Sequence, residues 1–558
     1  WSPGIVVLMH HHPHLHRRSR LAVMFGVLIL LTICLTPWST AETSVSLQPA
    51  DGDASTAALP TDPTASTTNA SATLTCTSAS LRDGARLELK QRLIIAIEAA
   101  EIPAARIPAM VVGVYEGGER YVLGFGSLPT TAADAADDRP SSNATAPDGQ
   151  TIFEIGSITK AFTGILLADA VMRGDVQLDD PIGPLLPQDV RAGMGDLAQI
   201  TLEQLATHRS SLPRLPANLR PDDPLDPYAA YSVKRLHTWL AQGVMLPPPG
   251  ERYAYSNLGA GLLGHLLARY AALQRARIDL DGIDDGGDND PNDPAQGEAD
   301  QRQQFEEAIG GTASLDRLLR DRITNPLSMR DTTFILNDEQ RDRLAPPHAF
   351  GRRSKNWDLA SLGGAGGIRS TVDDMLQFIA ANVKAHFASD AAANAIGLNV
   401  ERDQTLIGAL RFAAVPRHRI EGPLGGQGIG IALGWHTQQI QTQPQPGPAA
   451  DSTAAHLNGP DVDATASASA ASAAAAAAAA ADDDDDTAAP AAESSFSPST
   501  ATVEQAAVMI WHNGQTGGYK SMLMIGSAAK RGVVILSNGT ESQMIDGLAA
   551  RLMALLAE

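Results

Sequence analysis

The chain has 558 residues, with 42 Lys or Arg against 63 Asp or Glu and a formal net charge of -21. Two segments, 279–300 and 451–493, hold nine acidic residues each and no Lys or Arg, so the remainder is close to neutral. No basic, aromatic-interleaved stretch suggests nucleic-acid binding, and beyond residue 41 only Cys76 remains, so no internal disulfide can brace the fold.

At the N-terminus, basic RRSR (17–20) precedes apolar LAVMFGVLILLTICL (21–35), then Pro37 and small residues to Ala41. This order predicts a secretory signal peptide over 1–41, with an uncleaved anchor the lesser reading because the apolar run is short for a membrane span. Cys34 follows Ile33, which argues against lipidation, and the interrupted tract MHHHPHLH (9–16) is not a metal site; Met9 is the expected start. The expectation is a bacterial protein, periplasmic or secreted, that meets the membrane only through its signal peptide.

Residues 42–80, rich in Ser, Thr, Ala, Asp and Pro, read as a disordered spacer, which puts the folded domain at 81–558. It opens with helix-like RDGARLELKQRLIIAIEAA (82–100). PAMVVGVYEGGERYVLGFGSL (108–128) then gives two strands split by the hairpin signal Gly117-Gly118. A loop over 129–150 leads into a mostly helical middle, with a capping box at Thr201 and Gln204. Near the end AVMIWHNG, YKSMLMIG and GVVILSNG read as strands, and a last amphipathic helix starts at Thr540 with Gln543 three residues on. Strands at both ends with helices between imply a sheet assembled from the two termini around a helical region. Insertions at about 273–304 and 439–502, the second with nine alanines (473–481) ahead of Asp482 to Asp486, are expected to be disordered. Asp288-Asn289-Asp290 begins like a calcium loop, but Asp293 and prolines occupy the places a sharp glycine turn needs, so it reads as solvated loop.

Chemistry concentrates in three places. FEIGSITK (153–160) sets Ser157 and Lys160 three positions apart at the start of a run apolar on nearly every face, with Gly174 as its stop. Residues i and i+3 share a face, so the pair points into one place, and burial would free the lysine amine to take or relay a proton. The residues alone leave two readings open: a covalent nucleophile, or a capping serine beside a lysine paired to a carboxylate. A second Ser-x-x-Lys, Ser527 to Lys530, falls between two strands and has no assigned role. PPPGERYAYSN (247–257) offers Tyr255 as a base beside a cation and Asn257 as an amide for a substrate carbonyl. IWHNGQTGGYKSML (510–523) carries His512, Gly514, Gly517 and Gly518 on a strand edge open to substrate, where backbone N–H groups can stabilise an oxyanion.

Taken in order, the three resemble the class C β-lactamase family, which also contains serine D-Ala-D-Ala peptidases and esterases. FEIGSITK departs from the family's nucleophile signature only at Thr159, PGERYAYSN matches its second motif, and HNGQTGGY is similar to its KTGxTGGF strand with His512 in place of lysine. LEQLATHRSSLP (202–213), NPLSMRDTTF (325–334) and GGAGGIRSTVDDM (363–375) extend the resemblance over 82–558, the two insertions apart.

The resemblance implies an α+β fold of the β-lactamase/transpeptidase type, an antiparallel sheet flanked by helices beside an all-helical region, with Ser157 at the junction. It implies that Ser157 attacks a carbonyl to form an acyl-enzyme and that Lys160 and Tyr255 share the proton transfer, either one serving as base. Asn257 would hold the substrate amide, backbone N–H groups of Ser157 and Gln515 would form the oxyanion hole beside Gly514, and His512 would face a substrate carboxylate. Histidine, largely neutral at pH 7, holds a carboxylate more weakly than lysine and points toward the peptidase and esterase branches. Ser210-Ser211-Leu212-Pro213 lacks the glycine usual in that loop, so its turn is open to change. The implied activity is hydrolysis of β-lactam or D-Ala-type peptide amide bonds by a monomer acting on a small molecule or a peptidoglycan peptide, without metal or cofactor. A carboxylesterase on the same scaffold and a catalytically idle, cell-wall or penicillin-binding protein are the alternatives.

Overall fold

The structure, a computed structural model, describes residues 73–82, 86–129, 144–276, 294–387, 400–421, 428–439, 508–526 and 530–557. The expected signal peptide, most of the spacer and most of both insertions lie outside these residues. Its centre is a nine-stranded sheet in the order β1-β3-β2-β13-β12-β11-β10-β9-β8, antiparallel at every pairing. The strands are β1 (Cys76–Arg82), β2 (Ala109–Glu116), β3 (Glu119–Gly126), β8 (His418–Arg419), β9 (Ile429–Ile431), β10 (His436–Gln439), β11 (Val508–Gln515), β12 (Lys520–Gly526) and β13 (Arg531–Ser537). Between β3 and β8 lie two small pairs, β4 (Ile152–Glu154) with β7 (Arg369–Thr371), and β5 (His348–Ala349) with β6 (Arg352–Arg353).

The hairpin at Gly117-Gly118 forms as its sequence requires, both glycines having positive φ. The join between the chain's two ends is β2 against β13, with Val112 opposite Ile535. Alternation along these strands divides the interior into two cores. Val111, Ile510, Leu523 and Val534 face the helical region. Val112, Trp511, Met522 and Ile535 face the other way, onto Leu93 and Leu548 of the helices Leu87–Glu98 and Ser542–Leu555.

Within the helical region, the helix Thr159–Arg173 is buried continuously from Thr159 to Ala170 and ends at Gly174 with φ +74°. Asn257–Ala276 packs against it. A bidentate ion pair, Arg269 to Glu306 at 2.7 and 2.9 Å, ties that helix to Pro294–Gly310. The capping box at Thr201 and Gln204 is present with both reciprocal hydrogen bonds.

Three boundaries differ from expectation. Residues 76–82 fall inside the expected spacer, or at its edge, yet form β1, because CTSASLR completes the sheet against β3 and its hydroxyls bond main-chain oxygens there. Residues 273–276 and 294–304, assigned to the first insertion, continue or begin helices. The last helix begins at Ser542 rather than at a Thr540 cap, with no side-chain cap at Glu541.

Candidate active site

Strand β4 runs out at Glu154, and the chain reverses through Gly156, at φ +50°, into the single turn Gly156–Ile158 that carries Ser157. Ser157 is partly exposed while its neighbours on either side are buried. Its side chain caps nothing. Lys160 lies one turn on, 1% exposed. Its Nζ donates to Ser157 Oγ at 2.9 Å, Asn257 Oδ1 at 2.8 Å and the carbonyl of Ala365 at 2.7 Å. All three of these acceptors are neutral oxygens. The helix thus brings the first two motifs together, and the GGAGG segment supplies the third acceptor.

Tyr255 lies against the same group. Lys160 Nζ sits 4.6 Å from its ring centroid and the Arg214 guanidinium carbon 5.3 Å. The loop carrying Tyr255 is laced to residues 208–214: Ala254 N donates to His208 O, Ser256 N to His208 Nδ1, and Asn257 N and Leu258 N to Arg214 O. His208 and Ser211 both take left-handed backbone, at φ +56° and +59°. Ser211 therefore keeps the turn that glycine would favour, and its hydroxyl donates to Pro248 O at 3.1 Å.

His512 is 1% exposed, on the β11 face toward Tyr255, with ring centroids 6.3 Å apart. Its Nδ1 lies 2.5 Å from Asn513 O. A carbonyl accepts, so Nδ1 carries the hydrogen and Nε2 the lone pair. Burial, aided by His436 and Lys160, pushes its pKa well below the ordinary histidine value. The residue standing in the lysine place is therefore a neutral imidazole, in keeping with the largely neutral histidine expected there, and burial takes it further from protonation. His208, packed 4.5 Å from the Tyr255 ring, is held neutral by burial first and Lys160 second. His436 stacks on Trp511 and meets Tyr253 Oη at 3.0 Å, and burial lowers its pKa to about 3. Two neutral imidazoles, His208 and His512, thus flank Tyr255, and His436 lies 5.2 Å from the His512 ring. Neither His208 nor His436 stands out in the sequence, although His208 lies in a segment noted for its resemblance.

The β11 backbone closes against the nucleophile turn. A Cβ on Gly514 would lie 2.0 Å from Ile155 O, which only glycine permits, and Ser521 Oγ donates to that same oxygen at 2.8 Å. Gln515 N is close enough to Gly156 that a Cβ there would fall 2.6 Å away. The N–H of Gln515 and the turn holding Ser157 thus border one small space. Asn513, between His512 and Gly514, points to the opposite face, where its amide donates to Asp546 at 3.2 Å. Asp546 also pairs with Lys520 at 3.1 Å, both fully buried. Below the turn, Glu154 accepts from Trp357 N and Asn356 Nδ2 and is 3.4 Å from Arg369; burial raises its pKa against the pull of Arg369. Among the described residues no cluster of three His, Cys, Asp or Glu offers a metal site.

A partly exposed hydroxyl hydrogen-bonded to a buried amine, beside a phenol and a main-chain N–H, suits nucleophilic attack on a carbonyl. The family model described as Beta-lactamase matches residues 48–278 and 305–558. Among curated proteins, the chain is 27% identical over 270 residues to "D-alanyl-D-alanine-carboxypeptidase/endopeptidase AmpH" of Escherichia coli (strain K12), covering 48% of this chain and 56% of that one. It is 25% identical over 285 residues to a "Beta-lactamase" of the same organism, covering 51% and 58%. These matches span little more than half the length of the relatives. Among solved structures, a class C beta-lactamase from Rhodobacter sphaeroides superposes with TM-score 0.52 at 20% identity, over 84% of this chain and 98% of that one. A class C beta-lactamase mutant gives 0.55 at 16% identity, over 84% and 97%. At those identities the superpositions speak for the fold.

Proposed function

The chain belongs to the beta-lactamase family, and from that premise we propose that it is a serine hydrolase that forms an acyl-enzyme on Ser157 from β-lactam or D-Ala-type amide substrates. The observation that carries the reading is the bond from Lys160 Nζ to Ser157 Oγ at 2.9 Å, inside a site that also holds Tyr255. In the first step Ser157 Oγ bonds to the substrate carbonyl carbon while its proton passes to the Lys160–Tyr255 pair. The carbonyl oxygen gathers negative charge facing the N–H groups of Ser157 and Gln515. The tetrahedral species then expels the amine, which takes up the proton, and water releases the acyl group by the reverse sequence. Asn257, whose Oδ1 is taken up by Lys160 and which also hydrogen-bonds Tyr228, serves first to aim the lysine. Similarity to AmpH supports a peptide substrate as well as a lactam.

The reading places the enzyme outside the cytoplasm on the strength of the segment at 17–41, and takes it to act as a monomer on a small molecule or a peptidoglycan peptide. An esterase on the same scaffold draws on one observation, the neutral, buried His512, which offers no cation to a carboxylate.

The test is a time course of intact mass with benzylpenicillin, using Ser157→Ala as control. A lasting adduct on the wild type alone indicates a penicillin-binding peptidase, and consumption without one a β-lactamase. An adduct on the Ser157→Ala protein, or turnover by it at the wild-type rate, would sink the assignment.

A further inference from the structure

With His512 a buried, neutral imidazole, its strand offers the proposed hydrolase no charge for a substrate carboxylate, and the surrounding cations narrow the choice of an anchor. Lys160 is committed to Ser157, Asn257 and Ala365. Lys520 is fully buried on the far face of the sheet, 3.1 Å from Asp546. Arg369 is engaged by Glu154 and the carbonyls of Phe334, Gly367 and Trp357.

Arg214 differs from all of them. It is partly exposed. Among the described residues no carboxylate or carbonyl holds its guanidinium, whose carbon rests 5.3 Å from the Tyr255 ring centroid. Its backbone is fixed to the second motif, since its carbonyl accepts from Asn257 N at 3.0 Å and Leu258 N at 3.1 Å. Its positive charge is felt by both Tyr228 and His208, which places the side chain among the aromatic groups beside Asn257. Arginine is always protonated, and its planar fork matches a carboxylate with two parallel hydrogen bonds.

We propose that Arg214 is the specificity-determining cation of this site, receiving the free carboxylate of a β-lactam or of a peptide C-terminus while Ser157 attacks the neighbouring carbonyl. This rests on the hydrolase reading for the identity of the attacked bond. It does not rest on turnover for its test.

The experiment uses the full chain carrying Ser157→Ala, so that binding is read without chemistry. Dissociation constants are measured by calorimetry for benzylpenicillin against its methyl ester and for acetyl-D-Ala-D-Ala against its C-terminal amide. The measurement is repeated with Arg214→Met and Arg214→Lys added. In at least one matched pair, Arg214→Met lowers the preference for the acid about tenfold to a hundredfold, the scale of one charge-assisted contact, and Arg214→Lys restores part of it. Any general effect through Tyr255 cancels in the ratio, and the acid preference weakens as salt is raised. A preference that moves less than about threefold with Arg214→Met in both pairs, or no binding of either acid, overturns the proposal. Turnover by the Ser157 protein is scored separately. Arg214-dependent binding with no hydrolysis and no acylation would sink the hydrolase reading and leave the anchor. Hydrolysis with selectivity indifferent to Arg214 would do the reverse.

Discussion

Replacing Gly156 with alanine probes the proposed oxyanion space through a residue that carries no chemistry of its own. Gly156 has φ +50°, and a Cβ built on it lies 2.6 Å from Gln515 N and 3.0 Å from Gln515 O, where ordinary contact begins at 3.4 Å. Gln515 is strand backbone paired with Lys520, so it cannot yield as the tip of a flexible side chain would. The turn and β11 have to part until 2.6 Å becomes at least 3.4 Å. A displacement approaching 1 Å costs about 10²-fold in rate, and loss of one oxyanion donor about 10² to 10³ in kcat. The left-handed backbone adds about 1 to 2 kcal/mol of destabilisation for any residue with a Cβ.

Steady-state kcat and the urea midpoint are read on one preparation. The expected outcome is a folded protein, weakened by about 1 to 3 kcal/mol, with kcat down about 10² to 10³. Gly174→Ala is the control: Gly174 has φ +74° but nothing within 4 Å of its Cβ position, so it shares the backbone cost without the clash. It should lose stability and keep its rate. A folded Gly156→Ala protein with kcat within about threefold of wild type would refute the reasoning, because the N–H of Gln515 would then not border the reacting centre.

Asp546→Asn leaves Lys520 buried without its counter-charge and should cost about 3 to 5 kcal/mol in urea unfolding, most of it recovered in the Lys520→Met/Asp546→Leu double variant; a single-variant cost under about 1 kcal/mol would show that the pair is dispensable. His436, with its pKa lowered to about 3, stays neutral in the native state while the unfolded chain takes up a proton below about pH 6.5. Stability is therefore full above that pH and is lost as pH falls toward 3, at about 1.4 kcal/mol per pH unit per such histidine. His436→Phe should reduce the slope of stability against pH between 4 and 6 by about one proton, and an unchanged slope would count against its neutrality. Removing 451–500 should leave kcat largely intact, because β10 and β11 are antiparallel neighbours whose ends, Gln439 and Val508, face each other directly. The shorter connection should add about 1 kcal/mol of stability. A large loss of kcat would show that the segment serves the site.

What could be read from the sequence was whatever is local. Ser157 and Lys160 share a helical face by spacing alone, and Tyr255 and Asn257 sit in one turn. The late strands and the Gly117-Gly118 hairpin announce themselves by composition. What tertiary approach creates was not legible. His208 meets Tyr255 only because its imidazole accepts from Ser256 N, 48 positions away. Arg214 looks like any loop arginine until Asn257 and Leu258 bond its carbonyl. The neutrality of His512 follows from the packing around it, and only in part from the ordinary histidine pKa. Strand β1 escaped notice because CTSASLR is a polar edge strand with no apolar period.

The pairing of β2 with β13 joins residues about four hundred positions apart at the middle of the sheet. Such non-local pairing has to meet the entropy of closing the loop before it is rewarded, which makes folding slow. A nascent chain, growing from its N-terminus, possesses Ser157 and Lys160 long before Gln515 exists. Until residues 508–537 are delivered, the apolar face of the helix behind Ser157 has no complete sheet to rest on. On the proposed reading, activity therefore waits for β11 to β13, and a chain interrupted before Val508 carries Ser157 without the strands that complete the site.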